Sequence, residues 1–193
     1  MPTKSIVPET LIHANVDSAI KSVYRTMMGM SVTAQSSIAV PGGPPASTLV
    51  VGGPLAGTMA GTESGHAAAP HHEGPCVVGM VGFVGDINGF VYIYLELPFA
   101  VTCTAQMLGM DPLELSLNGE DTINDAVGEL TNMVVGSFKN ALCDVGFPCK
   151  LTIPSVLRAR SFSIKSVKAT RRFVYAFDCA GSRFLTDVLM HEE

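Results

Sequence analysis

Between Glu120 and Val145 the apolar positions recur every three or four residues. Ile123, Val127, Leu130, Val134, Phe138, Ala141 and Val145 fall on one stripe at about 100° per residue, which predicts a long amphipathic helix. Asp125, Glu129, Asn132 and Gly136 fall on the opposite, water-facing side. A second helical run, Leu11, Ile12, Val16, Ile20, Val23 and Met27, opens at Pro8 and Glu9 and ends near Gly29.

Elsewhere the period is that of strands. A strand is expected around Met30–Val40, followed by a Gly/Pro-rich insertion at about 41–75 that reads as a mobile surface segment, with a short strand at Ser47–Val51. Val77–Val84 and Phe90–Leu97 are rich in β-branched and aromatic residues, and Asn88-Gly89 between them is a tight-turn signal, so a hairpin is expected. Pro98 opens a short helix to about Leu108, and Asp111-Pro112 breaks the chain. After the long helix come strands at Cys149–Ile153, Arg158–Ile164, Arg172–Cys179 and Arg183–His191. Consecutive strands with short turns imply an antiparallel sheet, and long helices on one face of it make the class α+β, in one domain spanning 1–193.

Composition narrows the partners. A formal charge of −5 disfavours nucleic acid or anionic lipid as the main partner. The mean hydropathy of +0.35 is high, yet the uncharged stretch from Thr26 to Thr62 is interrupted throughout by Gly, Pro, Ser and Thr. It holds no run of about 18 apolar residues, and the first residues lack the apolar core of a signal peptide. A cytoplasmic protein is expected. Cys76, Cys103, Cys143, Cys149 and Cys179 are scattered and odd in number, as expected of small buried apolar residues.

The candidate chemistry lies on the long helix. Glu129 and Asn132, three residues apart, place a carboxylate beside a carboxamide on an exposed surface. Gly128 and Gly136 each cost about 1 kcal/mol in a helix interior, and leave clearance for a macromolecule to approach that face. An arbitrary helix with such residues would simply be presenting its solvated side. Other candidates are weaker. His66, His71, His72 and Glu63 have metal-ligating side chains but no ligand spacing. Gly82, Gly85 and Gly89 suggest a phosphate loop, but a strand follows rather than a helix.

The run Asp125-Ala-Val-Gly-Glu129-Leu-Thr-Asn132 resembles the helix signature of the CheC/CheX/FliY family of bacterial chemotaxis phosphatases. That signature reads Asp or Ser, three residues, Glu, two residues, Asn, with a Pro some twenty-odd residues on; Pro154 follows at about that distance. The hairpin Gly79–Tyr94 and the segment Ala105-Gln-Met-Leu-Gly-Met resemble further parts of the family pattern. The resemblance implies a CheC-like fold with about six mostly antiparallel strands, two long helices on one face and a pseudo-twofold repeat. It implies hydrolysis of the phospho-aspartate of a CheY-like response regulator, which brings its own Mg²⁺ and Lys; no cofactor of this chain is implied. Asn132 would orient the attacking water and Glu129 would pair with the regulator's Lys, with Asp125, Gly128 and Gly136 meeting the partner. An exposed helix carboxylate is a poor proton acceptor at neutral pH, which argues against a general-base role for Glu129.

Family members with two sites carry the Glu/Asn pair on the first helix as well. The matching stretch here, Asp17-Ser-Ala-Ile-Lys21-Ser-Val-Tyr24, has Lys21 and Tyr24 in those places. One intact site resembles CheX more than CheC, and implies a homodimer. Two rival readings are a non-catalytic module that docks a regulator through the same surface, and a small-molecule or metal sensor using 41–75 as a lid.

Overall fold

The computed structural model describes residues 6–35, 38–40, 50–51, 71–72, 74–160 and 170–191. Most of the 41–75 insertion, with Glu63 and His66, and the end of the expected Arg158–Ile164 strand lie outside the described residues.

Helix α1 (Glu9–Met28) ends at Gly29, which takes the left-handed φ of 65°. The N–H groups of Gly29 and Met30 then close on Arg25 O and Tyr24 O, satisfying carbonyls at the helix end. The expected Met30–Val40 strand is two short ones, β1 (Val32–Ala34) and β2 (Ile38–Val40). β3 (Val50–Val51) and β4 (His71–His72) form a separate parallel pair. β5 (Cys76–Gly85) and β6 (Asn88–Glu96) are the expected hairpin, but the turn is at Asp86-Ile87 and Asn88-Gly89 opens β6. The reason is steric as well as local: a Cβ at Gly89 would lie 2.1 Å from Leu189 O, so glycine here serves strand packing. Asn88 still helps the turn, accepting from Gly85 N–H at 3.1 Å.

Helix α2 (Leu97–Leu108) follows directly. The expected break at Asp111-Pro112 instead starts a short helix, α3 (Pro112–Asn118), because the Asp111 side chain caps Leu113 N–H at 2.9 Å and Pro suits the first helical position. Helix α4 (Glu120–Asp144) is followed by β7 (Cys149–Leu151), β8 (Ser155–Ala159), β9 (Thr170–Cys179) and β10 (Ser182–His191).

The main sheet has the order β1-β9-β10-β6-β5-β7, with β2 added on β9 and β8 on β5; every pairing in it is antiparallel. Its plan is a pseudo-twofold. Hairpins β5–β6 and β9–β10 meet at β6/β10, and each outer flank takes two short strands that follow a long helix: β1 and β2 after α1, β7 and β8 after α4. Alternation along the strands separates the faces. Val77, Val81, Phe83, Val91, Ile93, Leu95, Phe173, Phe177 and Phe184 join α1, α2 and α4 in one core. The other face carries a smaller cluster, Cys76, Val78, Tyr94 and Leu185, and a buried pair in which Arg172 Nη2 lies 2.5 Å from Asp187 Oδ2. The α4 stripe is wider than its apolar periodicity suggests. Ala126, Thr131, Val135 and Leu142 are buried too, while Val145 lies past the helix end and is half exposed.

Candidate functional site

Three contacts hold α4 against the β5/β8 flank. Gly79 of β5 leaves room for Thr131: a Cβ at Gly79 would sit 1.9 Å from Thr131 Oγ1. The Thr131 hydroxyl is turned along the helix and donates to Val127 O at 2.7 Å. Two turns earlier, Arg158 of β8 donates from Nε to Asn124 Oδ1 (2.7 Å) and from Nη2 to Glu120 O (3.0 Å), with Glu120 Oε1 at 3.7 Å. Between them Val156 lies beside Gly128, where a Cβ would meet Val156 Cγ2 at 3.4 Å.

These contacts set a register. Two residues of strand advance about 6.6 Å and four residues of helix about 6 Å. Arg158 meets Asn124 and Val156 meets Gly128, so two residues along β8 match four along α4.

On the outer side of α4 the row predicted from sequence is open. Asp125 and Glu129 are exposed, and Asn132 and Gly136 are half-buried. Among the described residues none of Asp125, Glu129 and Asn132 has a side-chain hydrogen bond or ion pair. Asp125 does not cap the helix; its N-cap is Gly119, and Glu120 and Asp121 supply the acidic first turn that favours the helix dipole. Around Gly136 no atom lies within 4 Å of where a Cβ would be, so this position leaves space on the outer side. Gly128 is buried, and the space it leaves is bordered by Val156 of its own chain. Asn132 thus presents an acceptor oxygen and a donor nitrogen at the edge of solvent, on a helix whose inner side is clamped.

The counterpart positions on α1 carry an exposed lysine and a buried tyrosine. Lys21 donates to Asp17 at 2.8 Å, one turn away. Tyr24 is fully buried, stacked on Phe184 with centroids 4.9 Å apart. Burial raises its phenol well above the ordinary value.

The cysteines offer no rival site, and the candidate set His66, His71, His72 and Glu63 falls largely outside the described residues. All five cysteines are free, four are buried, and burial pushes the thiols of Cys103 and Cys149 up to about 12 and about 11, away from nucleophilic chemistry. Among the described residues no group of three His, Cys, Asp or Glu could hold a metal, and no helix is long and apolar enough to cross a membrane. Sequence reasoning missed Gly79 and Arg158. An isolated glycine inside a strand pattern was the available signal for the first; the second had none.

An antiparallel sheet with long helices on one face and a pseudo-twofold plan is a CheC-like fold, and the comparisons agree with that fold. The model of the family described as chemotaxis phosphatase CheX matches residues 77–178, just over half of the chain. The chain belongs to the CheX family. It is similar to a chemotaxis protein CheX from Desulfovibrio desulfuricans, at 20% identity and a TM-score of 0.68 over 93% of this chain and 99% of that one. The CheC-like superfamily protein from Shewanella sp. PV-4 gives 20% and 0.70 over 96% and 100%. A third similar structure is the CheX of a CheX–CheY–BeF3–Mg complex from Borrelia burgdorferi, at 15% and 0.60 over 94% and 98%. No match is found among the curated proteins.

Proposed function

We propose that the protein is a cytoplasmic phosphatase that hydrolyses the phospho-aspartate of a CheY-like response regulator, with Asn132 as the residue that aims the water. The observation that carries this reading is an amide without an internal partner, at the solvent edge of a helix fastened on its other side at Gly79, Val156 and Arg158. Acyl phosphates are already labile, so a helper protein gains most by positioning. The carboxamide oxygen accepts from the attacking water and the nitrogen donates nearby without adding negative charge beside the phosphoryl group. Glu129, one turn away and exposed, pairs with the regulator's lysine and orients the docked partner. Asp125 borders the same contact, Gly136 leaves it space, and Gly128 lets β8 support the turn beneath it. The Mg²⁺ belongs to the regulator. The relative from Borrelia in complex with CheY supports the choice of partner, and kinship with single-site members supports a homodimer, which sedimentation would test.

The experiment is the decay of a phosphorylated receiver domain with catalytic amounts of this protein. The wild type should shorten its lifetime over many turnovers. Asn132→Ala should remove the acceleration while leaving the thermal unfolding transition in place, and Glu129→Ala should also weaken binding. Stoichiometric binding with an unchanged lifetime would mean a docking module instead.

A further inference from the structure

Of the five cysteines, Cys143 is the one that is not buried, and it lies beside a second thiol. Cys143 is in the last turn of α4, and Cys149 is the first residue of β7. We propose that these two are a redox-closable pair, which a small-molecule disulfide converts into an intramolecular disulfide that fastens the end of α4 to β7. The inference is independent of the phosphatase reading.

The backbone brings the pair together from both sides. Beyond α4 the chain folds back at once: Gly146 N–H donates to Cys143 O (3.1 Å) and Phe147 N–H to Leu142 O (3.0 Å), with Gly146 in the left-handed region at φ 93°. On the strand side Asp86 N–H donates to Pro148 O at 3.0 Å, and Gly85 is the register partner of Cys149. That packing has no slack, since a Cβ at Gly85 would lie 2.7 Å from Cys149 Cα. Between these fixed ends Cys143 Sγ lies 3.9 Å from Cys149 O, and the two thiols are hydrogen-bonded to each other. A disulfide forms only where the two side chains converge, and sulfurs in contact across a fixed turn meet that demand. Arg158 already fastens α4 near its start and Thr131 over Gly79 near its middle. The disulfide adds a covalent hold at its end.

The two thiols divide the steps. Cys143 is half-buried, so a solute reaches it; Cys149 is buried, and burial pushes its thiol up to about 11. The Cys143 thiolate attacks one sulfur of the small disulfide and releases the first small thiol, leaving a mixed disulfide on Cys143. Cys149 then attacks the Cys143 sulfur and releases the second small thiolate, which takes the proton Cys149 gives up. Two protein thiols are thereby oxidised by two electrons, and one small disulfide is reduced to two thiols. A thiol so rarely ionised is a slow nucleophile toward solutes, but Cys149 acts at contact, where no encounter is needed.

The test incubates the native full chain with oxidised glutathione and reads the acid-quenched intact mass and the peptide map, for wild type, Cys143→Ser and Cys149→Ser. Wild type should lose two hydrogens, and the map should join Cys143 to Cys149. Cys149→Ser should stop at one glutathione on Cys143, about tenfold or more above the adduct left on wild type, and Cys143→Ser should gain neither product. Oxidised wild type should melt about 5 °C higher, the effect of closing a short loop, and a reducing dithiol should reverse the gain. A lasting glutathione adduct on wild type, a disulfide joining any other two cysteines, or an unchanged mass overturns the pair. Oxidised protein that melts with or below the reduced form overturns the fastening. The wild-type masses decide the pair by themselves should either serine variant fail to fold.

Discussion

Helices α1 and α4 hold equivalent places in a pseudo-twofold fold, yet only α4 presents chemistry. Each is long, each is followed by two short strands on its own flank of the sheet, and each carries an aspartate at the matching point. On α1 the matching groups are engaged within the chain or buried: Lys21 holds Asp17, and Tyr24 fills space between Phe99 and Phe184 with its hydroxyl buried and unpaired. On α4 the same row is left without partners among the described residues, while the opposite side is tied down more tightly. A site is thus distinguished by hydrogen-bonding capacity that solvent and a partner can reach, on a rigid support. The bare residue types do not separate the two helices.

The comparison can be attacked most strongly by giving α1 the α4 row. Lys21→Glu with Tyr24→Asn should destabilise the fold by about 3–5 kcal/mol, since it removes a buried ring and leaves an amide in its place. No second phosphatase site should appear. A calorimetric melt near that of wild type would show that the two helices are interchangeable and would refute the distinction. Next in size, Asn132→Ala should slow regulator dephosphorylation by about a hundredfold, or about 2.7 kcal/mol of barrier, with little change in unfolding temperature.

Gly79→Ala tests the support rather than the site. The added methyl meets Thr131 Oγ1 at 1.9 Å, so α4 must shift by its neighbouring residue. A stability loss of about 1–3 kcal/mol is expected, together with slower decay of the phosphorylated partner even though Asn132 is intact. Stability lost with an unaltered rate would detach the clamp from catalysis. Smallest is Lys21→Ala. An exposed pair at i and i+4 contributes about 0.5 kcal/mol or less, so its chemical denaturation midpoint should barely move and dephosphorylation should be unchanged.

Much of this architecture was legible along the chain. The two long helices, the hairpin and the last two strands are found where periodicity put them, because the spacing of apolar residues is a local property of each segment, whereas β8 starts three residues before the expected Arg158 and ends at Ala159. Errors arose once from a distant residue and once from local capping. Asn88-Gly89 has the chemistry of a turn, but Leu189 O leaves no room for a side chain at Gly89 and the turn forms two residues earlier. Asp111-Pro112 looked like a break, although the same two residues cap and start α3.

The α4 row likewise came from sequence, since i, i+3 and i+4 positions share a helix face whatever surrounds them. Tyr24 was recognised as a departure from the Glu/Asn pattern, but its burial was not foreseen. The order of residues in this protein settled which segments are helices and strands and which groups α4 turns outward. Folding alone decided that Val156 lies beside Gly128, that Thr131 nests over Gly79, and that Tyr24 is buried. Those facts depend on which strand lies under which helix, and contacts between segments far apart in the chain leave no periodic trace in either one.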